Sequence, residues 1–163
     1  MTGNLTVTTP SDTEIVMTRT FDAPRELVFD AHGSCEHLSR WWGPRKYEFA
    51  ACEIDFREGG SWRIVHRGPE GEIPAFRGEY LEIVRPERIV WTFEWEGAPG
   101  QVGPETFTFE EHDGVTTLTT RSVFPSAEVR DGVMASGMLE GARETYDRLA
   151  EYLAAAANPP TAG

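Results

Sequence analysis

Between residues 47 and 155 the hydrophobic period changes once, and that change constrains the fold more than any motif does. Up to Phe124 apolar and polar residues alternate in short runs: Tyr47–Phe56, Ser61–Arg67, Pro74–Val84, Arg88–Trp95, Pro104–Glu111 and Val115–Phe124. Alternation turns one face of a strand toward a core and the other toward water. The connections are Arg57-Glu-Gly-Gly60, Gly68-Pro-Glu-Gly71, Pro86-Glu87, a Gly/Pro loop over 97–103, and Asp113-Gly114. Strands joined by turns this short pair antiparallel, because a parallel return needs a crossover of about a dozen residues. From Ser126 to Ala155 the period becomes 3.6, with Met134, Met138, Ala142, Thr145, Leu149 and Leu153 on one stripe. Ser126 is suited to cap this helix and Glu128 to its first turn. The stripe predicts one helix of about seven turns.

Ahead of these runs, Glu14–Phe21 alternates and reads as a further strand. Pro24 suits the first position of a short helix over Arg25–Ala31, with Asp22 as its cap. Ser34 can cap a second short helix over Cys35–Trp41, and Trp41-Trp42-Gly43-Pro44 closes the corner. The expected class is α+β: a curved seven-stranded antiparallel sheet wrapped around a long C-terminal helix, with two short helices after the first strand. Residues 1–12 read as a flexible arm, 13–156 as one domain and 157–163 as a disordered tail.

The net charge of −12 excludes the usual basis of nucleic-acid binding, a basic face that displaces phosphate counterions. It disfavours an anionic membrane surface for the same reason. The N-terminus carries neither a basic region nor an apolar one, and no run of about 18 apolar residues occurs, so a cytoplasmic location is the default. Cys35 and Cys52 form no CxxC and read as reduced thiols.

The element order, together with several stretches in sequence, resembles the SRPBCC superfamily, the START/Bet v 1-like helix-grip fold. Within it, the chain is similar to the activator-of-Hsp90-ATPase (AHSA1-like) family. The stretches are Arg19-Thr-Phe-Asp-Ala-Pro24 with Glu26-Leu-Val-Phe29, and His37-Leu-Ser-Arg-Trp-Trp-Gly-Pro44. Others are Glu53-Ile-Asp-Phe-Arg-Glu-Gly-Gly60-Ser-Trp62, and Gly78-Glu-Tyr80 running through Pro86 to Thr92. Arg121-Ser-Val-Phe124, leading to Met138 and Gly141, completes the set. Two departures stand out. The family tends to carry Trp-Thr where this chain has His32-Gly33, and Gly-Trp where it has Gly141-Ala142. Exchanging a buried indole for a methyl removes much volume, which neighbours fill or a cavity keeps.

No catalytic constellation is legible. GxSxG is absent, and Ser34-Cys35 with His37 reads as a helix start. His32 and His37 are not spaced as ligands on one helical face, and Gly59-Gly60 opens no helix that could cradle phosphate. No metal and no cofactor is expected. Aromatic and small residues carry more signal. Trp41, Trp62, Phe76, Trp91, Phe93 and Trp95 are candidates to line a cavity beneath a helix wall of Met134, Gly137, Met138 and Ala142. The alternative is that all of them are plain core. Parity puts Trp91, Phe93 and Trp95 on one face, taken as the inner one. Arg63, His66, Glu79 and Arg121 are candidates to orient a guest, as are Arg77, Tyr80 and Glu94; the sequence leaves open which of them point inward. A buried carboxylate at Glu79 or Glu94 would have a shifted pKa.

The first expectation is therefore non-catalytic binding of a hydrophobic or aromatic small molecule. The resemblance implies two others. One is a protein-interaction module, with Hsp90 as partner and a stress-response setting. The other is an enzyme acting on an aromatic or polyketide-like compound. A homodimer is compatible with the fold and is left open.

Overall fold

A computed structural model describes residues 4–157. In chain order the elements are β1 (Thr6–Thr8), β2 (Glu14–Phe21), α1 (Arg25–Asp30), α2 (Cys35–Leu38), β3 (Glu48–Ile54) and β4 (Ser61–Arg67). They continue with β5 (Ala75–Val84), β6 (Arg88–Trp95), β7 (Gly103–His112), β8 (Val115–Val123), α3 (Ala127–Ala135) and α4 (Met138–Ala157). One antiparallel sheet runs in the order β1-β2-β8-β7-β6-β5-β4-β3, so β3 to β8 form a meander and β2 returns beside β8. The Asp113-Gly114 turn between β7 and β8 has positive φ at both residues (52° and 79°), the geometry that matches the strand twist.

Three expectations change. The sheet has eight strands, not seven. The additional one is β1, within the segment read as a loose arm; its three residues pair with β2 at Thr6↔Thr18, Val7↔Met17 and Thr8↔Val16. A strand this short has no room for a period, which is why alternation missed it. The long helix is two helices. Gly137 has φ +85°, a left-handed conformation that stops α3, and α4 starts one residue later. The apolar stripe crosses the break and hides it. The third change concerns the cysteines. Cys35 and Cys52 are joined by a disulfide, with Cα atoms 5.8 Å apart, which ties the start of α2 to β3. The reduced-thiol reading rested on spacing along the chain; the fold brings the two together across 17 residues. Of the tail, residues 158–163 lie outside the described residues.

Local signals set most element starts. The Ser34 hydroxyl accepts from the His37 N–H and the Ser126 hydroxyl from the Val129 N–H, both at 3.2 Å. At α1 the cap position is Pro24 itself, one residue before its expected place, with no side-chain cap bond. α4 buries Tyr146, Leu149 and Leu153 against the inner face of the sheet, while Met138, Leu139 and Ala142 are half-buried there. α3 has no buried residue and contributes only Val133 and Met134 to that packing. Polar contacts fix α4 to the rest. Arg19 of β2 reaches Asp147 at 2.8 Å, Arg148 donates to the Gly43 carbonyl at 2.7 Å, and His37 Nδ1 meets the Tyr152 hydroxyl at 2.6 Å.

Candidate functional site

The inner face of the sheet holds an aromatic cluster centred on β6. Trp62 and Trp91 stack with centroids 4.0 Å apart and planes 16° from parallel. Such a pair adds about 0.5–1.5 kcal/mol to the value of the area it buries. Phe107 meets Trp91 edge-on at 5.3 Å, and Phe93 leans on Trp62 at 5.8 Å. Over this cluster lie His32, just past the end of α1, Leu38 of α2, and Trp42. With Tyr80, Ile89, Trp91 and Phe107 from the strands they enclose a small cavity of about 10 Å³. That is room for on the order of one water.

Two polar atoms in this apolar pocket have no hydrogen-bond partner. They are His32 Nε2 and the Tyr80 hydroxyl, on residues only 6% and 1% exposed. The other ring nitrogen of His32 lies 2.8 Å from the Val28 carbonyl. A carbonyl only accepts, so Nδ1 carries the proton and Nε2 presents a lone pair. Burial pushes the imidazole pKa down to about 4, against the Val28 bond, so the ring is neutral at pH 7. The ring is fixed edge-on between Trp41 at 4.8 Å and Phe109 at 5.2 Å. Burial also raises the Tyr80 hydroxyl pKa, which keeps its proton on.

Trp91 links this pocket to a second polar group. Its indole N–H donates to Glu105 at 2.8 Å, and the Ser122 hydroxyl donates to the other carboxylate oxygen at 2.7 Å. Burial pushes the Glu105 carboxyl up, while the two donated bonds hold it back. The Glu105 charge in turn helps burial to raise the pKa of Tyr146 on α4.

The residues singled out from sequence fall in different places. Trp91 lines the pocket. Trp41 and Trp62 are buried in the core and Phe76 and Phe93 pack half-buried against it without lining this cavity, and the Trp41 indole donates to the Ala31 carbonyl at 3.0 Å. Met134, Met138 and Ala142 pack half-buried on the core but do not line this cavity. Gly137 is exposed, in the break between the two helices, and opens no interior space. Trp95 is 48% exposed, correcting its inner-face assignment. It is the last residue of β6, where alternation ends, and its ring lies beside Gly97 in a surface groove with Tyr47 and Ile73.

Of the polar candidates only His66 and Tyr80 point inward. His66 is packed among Trp42, Tyr47, Phe49 and Phe76, and the backbone at Gly43 passes so close that a Cβ there would sit 2.5 Å from its ring. Burial, and then the Arg148 charge, push its pKa down to about 4. Arg63, Glu79 and Arg121 lie on the outer face and orient nothing inside. Arg63 forms a two-pronged pair with Glu96 (2.7 and 3.0 Å), Arg121 pairs with Glu14, and Glu79 is exposed. Arg77 and Glu94 pair at 2.9 Å on that same face, and the bond holds the Glu94 carboxyl low instead of high.

Sequence reasoning missed Glu105 and His32. Glu105 shares the parity of Phe107 and Phe109, which was the available signal. The sequence offers His32 as a departure from the family pattern and as a poorly spaced partner of His37, and neither places it in a pocket. Among the described residues no three His, Cys, Asp or Glu side chains gather to hold a metal, and no helix is long and apolar enough to cross a membrane.

One antiparallel sheet closed by a C-terminal helix over an aromatic interior defines the helix-grip class. Residues 22–154 match the family described as Activator of Hsp90 ATPase homolog 1-like protein, and the chain belongs to that family. A Rhodobacter sphaeroides protein of known structure superposes with a TM-score of 0.88 at 27% identity, covering 94% of this chain and 99% of that one. A Mycobacterium smegmatis protein gives 0.82 at 27% identity, covering 91% and 96%. An AHSA1 protein of Silicibacter pomeroyi gives 0.70 at 22% identity over 86% and 97%, a likeness of fold alone. No functionally curated protein matches the chain.

Proposed function

We propose that this protein binds a small, ring-containing apolar molecule in the pocket between α1, α2 and the inner face of the sheet, without transforming it. The observation that carries this reading is the pair of unpartnered polar atoms, His32 Nε2 and the Tyr80 hydroxyl, in an otherwise aromatic pocket. A buried polar group left unpaired costs about 1–3 kcal/mol, so two in one place call for an explanation that packing does not supply. A few convergent polar atoms in an apolar lining is the usual make-up of a ligand site. A guest the size of one ring requires the walls to part.

Thermal denaturation in the presence of benzene tests the reading, because a ligand that binds only the folded state raises Tm. A saturable rise is expected, lost when Ile89→Trp fills the pocket. A Tm that stays flat or falls as benzene is added would remove the proposal.

A further inference from the structure

The two unpartnered atoms also say what kind of polar end the guest has; this step rests on the pocket reading above. His32 Nε2 can only accept, since its lone pair is left free by the proton on Nδ1 that faces the Val28 carbonyl. The Tyr80 hydroxyl can donate. Both residues line the same cavity of about 10 Å³. A carbonyl or ether oxygen would satisfy Tyr80 and leave His32 unpaired. An N–H would satisfy His32 and leave the Tyr80 proton without an acceptor. One hydroxyl does both, taking the place of the single water that the unexpanded cavity has room for.

We infer that the guest is a hydroxyl compound on an apolar body, a phenol, enol or alcohol, whose O–H donates to His32 Nε2 and whose oxygen accepts from the Tyr80 hydroxyl. The rest of the molecule stacks along Trp91 and Phe107.

Phenol, anisole and benzene form a matched set: donor and acceptor, acceptor only, and neither. Their dissociation constants are measured by NMR titration of the intact chain, in wild type and in the Tyr80→Phe and His32→Phe variants. Phenol is expected to bind at least about tenfold tighter than anisole or benzene, the scale of one buried hydrogen bond. Each substitution is expected to reduce that preference severalfold. Tyr80→Phe keeps the ring and its packing, so it remains informative if His32→Phe fails to fold. Equal binding of the three probes overturns this inference and leaves the pocket reading standing. A phenol preference undiminished by Tyr80→Phe also overturns it, because the hydroxyl then sits elsewhere. If none of the probes binds, the inference falls together with the pocket reading.

Discussion

The two faces of the sheet treat polar side chains in opposite ways. On the outer face charge is closed on itself. Arg77 meets Glu94, Arg88 meets Glu82 and Arg121 meets Glu14 across neighbouring strands, and Arg63 of β4 reaches over β5 to Glu96, just past the end of β6. Exposed pairs of this kind contribute about 0–1 kcal/mol apiece. On the inner face polar groups are few. Glu105 is held by Trp91 and Ser122, but His32 Nε2 and the Tyr80 hydroxyl are left open in an apolar pocket. The contrast separates polar residues that serve the fold from those that are available to a guest.

Trp91→Ala is the strongest way to break that contrast. It removes the stacking partner of Trp62, a wall of the pocket and a donor to Glu105 at once. A loss of about 3–5 kcal/mol is expected in chemical denaturation. If the loss is under about 1 kcal/mol, the inner face is no better packed than the outer.

The titration of the two faces gives the next test. His32 has its folded pKa lowered to about 4 from an ordinary 6.5, so its contribution is present above 6.5 and is lost as pH falls toward 4. That amounts to roughly 3 kcal/mol. His66, lowered in the same way, acts in the same window. Glu105 has a raised folded pKa, so its contribution is present below the unfolded carboxylate value and is lost as pH rises through the folded one. The outer carboxylates behave in reverse. Glu14, held low by Ser11 and then Arg121, Glu94 by Arg77 and Glu96 by Arg63, contribute above the unfolded value and lose that contribution in acid. His32→Phe should therefore flatten the stability loss between pH 6.5 and 4, and Glu105→Gln should flatten the loss that sets in as pH rises above the unfolded carboxylate value. Unchanged profiles in denaturant titrations at several pH values would contradict the burial assigned to these groups.

Reduction of the Cys35–Cys52 bond frees α2 from β3. Closing a loop of this length is worth about 3 kcal/mol, or less where the reduced chain keeps structure, so a reductant should lower the denaturation midpoint by a comparable or smaller amount. It should also weaken the pocket more than the outer ion pairs, because α2 supplies Leu38 to its wall. The smallest effects sharpen the comparison. Arg77→Ala should cost under about 1 kcal/mol. Tyr80→Phe, which removes an unpaired buried hydroxyl, should be neutral or stabilising in the guest-free protein, again within about 1 kcal/mol. A clear destabilisation by Tyr80→Phe would mean that the hydroxyl already has a partner.

Much of the fold was legible because its determinants are local. β2, β4 and β6 begin and end where alternation and turn residues put them, and the caps at Ser34 and Ser126 are read from one residue each. The Gly137 break was not, since glycine on an apolar stripe is compatible with both a continuous and a divided helix until its φ is known. The site was less legible for a physical reason. Alternation says that neighbours on a strand face opposite ways, but not which way is in. Arg63, Glu79 and Arg121 looked equivalent to Tyr80, and Trp95 to Trp91, until the register was fixed. Glu105 became visible only when its partner strands placed Trp91 and Ser122 beside it. The disulfide likewise depends on α2 and β3 meeting in space.

The central claim is that the pocket above Trp91 is where a guest goes. Chemical-shift mapping of the isotope-labelled protein during titration with phenol tests it most directly. The account predicts saturable changes greatest at His32, Leu38, Trp42, Tyr80 and Trp91. Changes confined to the outer groove at Tyr47, Ile73 and Trp95, or a response that never saturates, would contradict it.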